Sequence, residues 1–219
     1  MRIAILGTGM VGRALAGALH RIGNDVVLGT RDPAATLARG GEGGFGPWAQ
    51  ANPQLQVAAF ADAADGADLV VDALPGAVAE VGIAAAQVAP GTVLLDVSNP
   101  LEPGRDGPPV LFVANTDSLA ERLQRAFPYL RVVKSLNTMT APLMVNPAKL
   151  AGGDFSTFLC GDDAAAKEVV GTLLADLGHR DVIDLGGLSA ARGMEAMMLL
   201  WLRLWGLFGT AEFNYKIVR

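Results

Sequence analysis

The chain opens on an apolar run, Arg2-Ile3-Ala4-Ile5-Leu6, that ends directly on Gly7-Thr8-Gly9-Met10-Val11-Gly12 and passes without a break into a helical pattern over Met10–Arg21. Glycines at this spacing between a strand and a helix serve three purposes. Gly7 permits a tight reversal, Gly9 lets the backbone come close to a bound diphosphate, and Gly12 lets helix and strand touch. The helix N-terminus then turns unpaired N–H groups and the positive end of its dipole toward that anion. The motif predicts a strand–turn–helix unit of the dinucleotide-binding kind, with Gly7, Thr8, Gly9, Met10, Val11 and Gly12 against the ligand.

The rest of the chain repeats the alternation. Strand-sized apolar runs recur at 25–28, 68–73, 92–97, 131–136, 157–160 and 181–185, with a weaker one at 55–59. Helical stretches at 77–88, 117–127 and 164–177 lie between them, and Gly23, Gly91 and Gly178 stand where helix C-caps belong. Strands apolar on both faces and separated by helices read as a mostly parallel, doubly wound α/β sheet of the Rossmann type. Residues 40–53, rich in Gly, Pro and Asn, read as a loop. From Gly186 onward the pattern changes to a helix apolar nearly all round (Met194, Met197, Met198, Leu199, Leu200, Trp201, Leu202, Leu204, Trp205, Leu207, Phe208), which must be covered by its own chain or a partner. The expected division is a nucleotide-binding domain over 1–185 and a C-terminal helical appendage over 186–219, which serves a second-substrate site or a dimer interface.

Composition narrows the function. The 219 residues are 51% hydrophobic and 18% charged, enough apolar material for a large core and too little charge for a disordered chain. Seventeen basic against twenty-two acidic residues leave a net charge of −5, which gives no electrostatic footprint for nucleic acid or an anionic membrane. A single cysteine, Cys160, forms neither an internal disulfide nor a thiolate metal cluster and predicts a reducing, cytoplasmic setting. The start lacks a signal-peptide pattern, and 197–208 falls short of the roughly 20 apolar residues that span a bilayer.

The second strand decides which dinucleotide fits. A nucleotide without a 2′-phosphate is bound by an acid at the end of that strand; here Thr30 stands in its place and Arg31 follows. A hydroxyl and a planar guanidinium suit a 2′-phosphate, so the expected coenzyme is NADP. The competing reading pairs Arg31 with Asp32 at a surface turn.

Ligands on such a sheet bind beyond the carboxyl ends of its strands, where Leu74-Pro75-Gly76, Ser98-Asn99-Pro100 and Asn137-Thr138-Met139-Thr140 are expected to converge. These loops carry small, polar or proline-stiffened residues and no evident acid or base. His20 and His179 fall at the opposite edge, as surface or helix-end residues. Lys134 lies inside a strand without an assigned role, and Asp72 and Asp96 suit structural hydrogen bonding as well as a site. No metal cluster, nucleophilic triad or catalytic residue is evident. Oxidising an alcohol demands a positioned base, whereas hydride transfer between a nicotinamide and a flavin-like ring asks mainly that two flat rings be held face to face.

The chain resembles the NADP oxidoreductases that depend on the deazaflavin coenzyme F420. The resemblance rests on the opening glycine motif, Gly29-Thr30-Arg31, Val132-Val133-Lys134-Ser135-Leu136-Asn137-Thr138, Cys160-Gly161-Asp162-Asp163 and Leu188-Ser189-Ala190-Ala191-Arg192. It implies that Thr8, Thr30 and Arg31 hold NADP, that Leu74, Pro75 and Ala141 line the nicotinamide pocket, and that Asn137, Met139 and Arg192 lie near the deazaflavin or flavin; Ser98 and Asn99, in the converging loops, are expected to contact the cofactor as well. It also implies a homodimer. Archaeal members carry His where this chain has Asn137, and an amide can hydrogen-bond but cannot take a proton near neutral pH. Two other readings are a reductase of a small imine or carbonyl, with Lys134, Asp72 or Tyr129 as proton donor, and an NADP-sensing protein without turnover.

Overall fold

Alternation of apolar side chains on the strands sets up two cores. Ile3, Ile5, Val26, Leu28, Leu69, Val71, Val93, Leu95 and Val133 face one side of the sheet, while Ala4, Leu6, Val27, Val70, Leu94 and Val132 face the other. Since neither face can meet water, helices must cover both. The computed structural model describes residues 1–102 and 107–219. It contains an eight-stranded sheet in the order β3-β2-β1-β4-β5-β6-β7-β8, from β1 (Arg2–Leu6), β2 (Asp25–Thr30), β3 (Gln56–Ala59), β4 (Leu69–Asp72), β5 (Val93–Asp96), β6 (Arg131–Ser135), β7 (Ser156–Gly161) and β8 (Asp181–Asp184). All neighbours run parallel except β6 and β7, which pair antiparallel through Val133–Gly161, Lys134–Cys160 and Ser135–Leu159.

Helices α1 (Met10–Arg21), α7 (Ala141–Val145) and α8 (Ala164–Asp176) supply Leu15, Leu19, Leu143, Met144, Val170 and Leu173 to the first core. Helices α4 (Phe60–Ala64), α5 (Ala79–Ala86), α6 (Leu119–Ala126) and α9 (Ala191–Phe208) supply Ala63, Ile83, Leu123 and Met194 to the second. The order of connection reverses beside β1, which pairs with both β2 and β4. Doubly wound sheets take their ligands at such a topological switch point, here the carboxyl ends of β1 and β4.

Several local expectations are corrected. The weak run at 55–59 is a true edge strand, β3, paired to β2. Residues 40–53 are not all loop: α3 (Phe45–Ala51) forms there because Phe45 is buried and Trp48 packs on the core, their rings 5.2 Å apart. Burial of this aromatic pair outweighs the turn-forming composition around it. Gly91 does not cap a helix; α5 ends at Gln87, itself left-handed at φ 49°. Gly23 and Gly178 do follow the ends of α1 and α8, at φ 93° and 98°. His179 is a buried residue rather than a surface one: its ring bonds the Thr157 hydroxyl at 2.8 Å and the Met144 carbonyl at 3.0 Å. Burial lowers its pKa, which keeps the ring neutral. Helix α9 is covered by its own chain along one side only. Ala191, Met194, Glu195, Met198 and Trp201 are buried, whereas Leu199, Leu200, Trp205, Leu207 and Phe208 remain exposed. No described helix is long and apolar enough to cross a membrane.

Candidate active site

The phosphate turn follows β1 and lies against the end of β4. Gly7 has φ +121°, and a Cβ there would sit 2.6 Å from the Ala73 carbonyl oxygen. A Cβ on Gly12 would strike the Gly7 carbonyl oxygen, so helix and turn touch only because neither residue carries a side chain. Gly9 is different: the space around its absent Cβ is open. It is the N-cap of α1, and no side chain bonds the free N–H groups of that first turn. Bare donors at an uncapped helix start, under a glycine with nothing above it, fit a diphosphate.

Thr30 ends β2 beside this turn. Its hydroxyl shares a 2.8 Å hydrogen bond with that of Thr36 in α2 (Pro33–Leu37) and is buried. Asp32 does not pair with Arg31; its carboxylate caps α2 by accepting from the Ala35 N–H at 2.9 Å. Arg31 is exposed and makes no hydrogen bond or ion pair among the described residues. A second guanidinium, overlooked in the sequence, joins it. Arg39 donates from Nη2 to the Thr8 hydroxyl at 2.6 Å and lies 5.6 Å from the Phe45 ring centroid. Arg13 donates to the Gly43 carbonyl at 3.0 Å and ties the glycine-rich segment over the same end of the sheet. Arg31 and Arg39, neither of them paired with a carboxylate among the described residues, suit a 2′-phosphate.

On the other side of the switch point the expected loops do converge. Gly76 abuts the Asn99 carbonyl so closely that any Cβ would collide with it. Asn99 and Asn137 exchange hydrogen bonds: Asn99 Nδ2 donates to the Asn137 carbonyl and Asn137 Nδ2 to Asn99 Oδ1, each at 2.9 Å. Asn137 Nδ2 also donates to the Met194 carbonyl of α9 at 3.0 Å, while its Oδ1 is buried without a partner. Leu136, which delivers Asn137, is a buried non-glycine residue at φ 61°. A left-handed Leu is a strained conformation that the surroundings must impose.

Leu74 is half-buried, Pro75 is exposed, and Ser98 and Ala141 are buried around this floor. Met139 belongs to the core, with the Asn214 amide 4.0 Å from its sulfur. Arg192 makes a two-point ion pair with Glu121 at 2.8 and 2.6 Å, which holds the Glu121 carboxyl below its usual range.

Beneath the floor lies a buried ionic cluster. The Lys134 ammonium donates to Asp96 Oδ2 at 2.8 Å and to the Ser98 carbonyl at 2.6 Å, and contacts Glu195 Oε1 at 3.1 Å. Asp96 Oδ1 accepts from the Ser98 N–H at 2.9 Å and its hydroxyl at 2.6 Å. Glu195 accepts from the Leu119 and Ala120 N–H groups at the start of α6, at 2.8 and 3.1 Å. Burial opposes the charge on Lys134, but Asp96 and Glu195 outweigh it and raise its pKa. Burial raises the pKa of Glu195 against the pull of Lys134. Asp72, next to Asp96 across β4 and β5, is pushed well upward by burial first and by the Asp96 charge second. One of its oxygens accepts from the Leu74 N–H at 3.1 Å, and the other has no partner.

Three of these participants were hard to find from sequence. Glu195 left a signal, because it is the one acid in α9, set among Met194, Ala196 and Met197, and an acid in such an apolar stretch needs a partner if buried. Lys134 stands out in mid-strand, but nothing local in the sequence pairs it with Glu195, sixty-one positions later. Arg39 left none, since a lone arginine before glycines reads as a solvated loop residue. The proton donors invoked for an imine or carbonyl reductase are poorly placed: Lys134 and Asp72 are sealed in the core, and Tyr129 lies exposed in the turn leading into the start of β6, at the end of the sheet away from the phosphate turn.

The sequence profile described as "NADP oxidoreductase coenzyme F420-dependent" matches residues 2–100. A candidate F420-dependent NADP-reductase from Arthrobacter sp. FB24, solved at 1.70 Å, is similar over 100% of both chains, with 53% identity and a TM-score of 0.98. The rat (Rattus norvegicus) metalloreductase STEAP3 is 31% identical over 205 residues, 93% of this chain but 38% of that protein, so the chain spans little more than a third of this curated relative. A reductive aminase from Aspergillus terreus shares the fold at 20% identity and a TM-score of 0.63, over 95% of this chain and 62% of the other. With full-length identity above one half to the Arthrobacter protein, and the glycine turn within the matched profile, the chain belongs to the coenzyme F420-dependent family of NADP oxidoreductases.

Proposed function

We propose that the protein moves a hydride between NADP(H) and a deazaflavin, coenzyme F420, held over the floor built by Leu74, Pro75, Asn99, Asn137 and Ala141. Bound there, the reduced pyridine nucleotide supplies the hydride and a deazaflavin-type ring accepts it, with its proton coming from water. The residues then bind and orient. The N–H groups from Gly7 to Gly12 hold the diphosphate, Thr8, Arg31 and Arg39 hold the 2′-phosphate beside Thr30, and Ser98 and Asn99 fix the floor beneath the nicotinamide. Asn137 fixes Asn99 on the side of the second ring through their exchanged hydrogen bonds, with Met139 in the core beneath and Arg192 at the rim.

The single observation that carries this reading is where the protons are. The titratable groups nearest the floor, Asp72, Asp96, Lys134 and Glu195, are enclosed and bonded to one another or to backbone. A carbonyl or imine reductase needs a donor at the substrate itself. Mixing the purified protein with NADPH and oxidised F420 is expected to remove the absorbance near 420 nm, a wavelength taken from the coenzyme's name, and NADP with reduced F420 to restore it. Protein that binds NADPH yet moves no hydride in either direction would sink the proposal.

We also propose that residues 186–219 serve a twofold assembly, in which a second copy of the chain covers Leu199, Leu200, Trp205, Leu207 and Phe208 of α9. These side chains leave apolar surface exposed along the last turns of α9, the kind of surface that homodimer interfaces bury. Light scattering on the wild type should give twice the chain mass, and charged residues at Leu207 and Phe208 should give the single-chain mass.

A further inference from the structure

Buried ion clusters are poor stabilisers. Exchanging one for apolar residues of similar size is often neutral or favourable, because desolvation offsets the attraction. A cluster at the catalytic end of a sheet, with each N–H of its cation used, therefore calls for another account. Lys134 spends its donors on three separate elements: the end of β5 through Asp96, the loop after β5 through the Ser98 carbonyl, and α9 through Glu195. Ser98 is consequently gripped at its N–H, its hydroxyl and its carbonyl. The next residue, Asn99, has no freedom to drift, and it is the residue that exchanges both amide bonds with Asn137. The same helix, one residue before Glu195, also holds the loop after β6, because the Met194 carbonyl accepts from the Asn137 amide. Successive residues of α9 thus fasten both arms of the floor. The strained Leu136 and the partnerless Asn137 oxygen lie at the end of this chain of contacts.

We propose that Lys134 is a positioning residue for hydride transfer: through Ser98 and Asn99 it sets the Asn99–Asn137 pair, and through Glu195 it makes that setting depend on the docked α9. The charges are there for geometry. Fixing a carbonyl, a carboxylate and a helix to one ammonium defines where the floor stands relative to the phosphate turn, and reacting rings are sensitive to shifts of about 1 Å. The inference rests on the hydride-transfer reading for its kinetic arm, but its spectroscopic arm does not.

The test compares Lys134→Met with Lys134→Met/Glu195→Gln. The single variant leaves Asp96 and Glu195 as buried charges without their cation and should lose stability; the double variant removes one of these charges, keeps one acceptor oxygen for the α6 N–H groups, and should recover part of the lost melting temperature. In both, affinity for 2′,5′-ADP, which probes only the phosphate side, should stay within about twofold of wild type. Turnover of NADPH with F420 should fall about tenfold or more in both, without recovery in the double variant. In ¹⁵N spectra the Asn99 and Asn137 side-chain amides should shift in both variants and lose their response to added NADP. Turnover that returns together with melting temperature, or amide signals and NADP responses unchanged from wild type, overturns the proposal. If the wild type reduces no F420, the hydride-transfer reading fails while the amide spectra still decide the role of Lys134.

Discussion

Arg39 donates a 2.6 Å hydrogen bond to the hydroxyl of Thr8, a residue thirty-one positions earlier, and so brings a second guanidinium to the phosphate turn. Arg31, the residue after β2, stays clear of Asp32, which spends its carboxylate on capping α2. Two cations around one site suit a dianionic 2′-phosphate better than one. Arg39→Ala and Arg31→Ala should each weaken NADPH by roughly 1.5–3 kcal/mol, the range for hydrogen bonds to charged groups, and change NADH little. Because both act on one group, their combined effect should depart from the sum. Calorimetric titration with each nucleotide checks this; an equal loss for NADPH and NADH would place the arginine elsewhere.

The glycines of the turn make separable contributions. Gly9 has open space where a Cβ would go and an ordinary φ of −76°, so Gly9→Ala should fold with an unchanged melting temperature and lose nucleotide affinity, since the methyl occupies the path of the diphosphate. Gly12→Ala forces a Cβ into the Gly7 carbonyl and should lose both affinity and roughly 1–3 kcal/mol of stability, as for other overpacked contacts. Tight NADPH binding by Gly9→Ala would mean that the diphosphate does not cross that residue.

Much of this arrangement could be read in the sequence, for reasons visible in particular residues. Alternation along Ile3-Ala4-Ile5-Leu6 demands helices on both faces, and the glycine turn fixes where the nucleotide lies. The loops at 74–76, 98–99 and 137–140 follow from where the strands end. Local pattern did not give the antiparallel direction of β7, which depends on how the 136–155 connection stays at one end of the sheet. Nor did it give α3, where the long-range burial of Phe45 prevails. The ionic cluster joins residues 96, 134 and 195, and its members become partners only once the sheet has formed.

Cys160 shows how far burial governs reactivity here. It is fully buried in β7, with its sulfur 3.8 Å from the Leu188 carbonyl, and desolvation pushes its pKa up to about 12. Thiolate is the reactive form, so at pH 8 the thiol should resist iodoacetamide and aromatic disulfides over hours and react within minutes in denaturant. Fast labelling of the folded protein would show that the turn at Leu188, just before α9, lifts readily from β7.

Asp72 should leave a mark on the pH dependence of stability. Burial and the neighbouring Asp96 charge raise its folded pKa well above the usual carboxylate value, so the native state keeps a proton that the unfolded chain has released. Whenever the native state binds the extra proton, stability falls as pH rises, at most about 1.4 kcal/mol per pH unit for one group. The contribution is complete below the unfolded pKa near 4 and is lost as pH climbs through the folded value. Asp72→Asn cannot ionise but keeps an oxygen for the Leu74 N–H. Urea unfolding from pH 4 to pH 8 should show the variant close to wild type at the acid end and more stable toward pH 8, with the gap widening as pH increases. A constant difference across that range would mean that Asp72 carries its charge in the folded protein and that Lys134 compensates it despite Asp96.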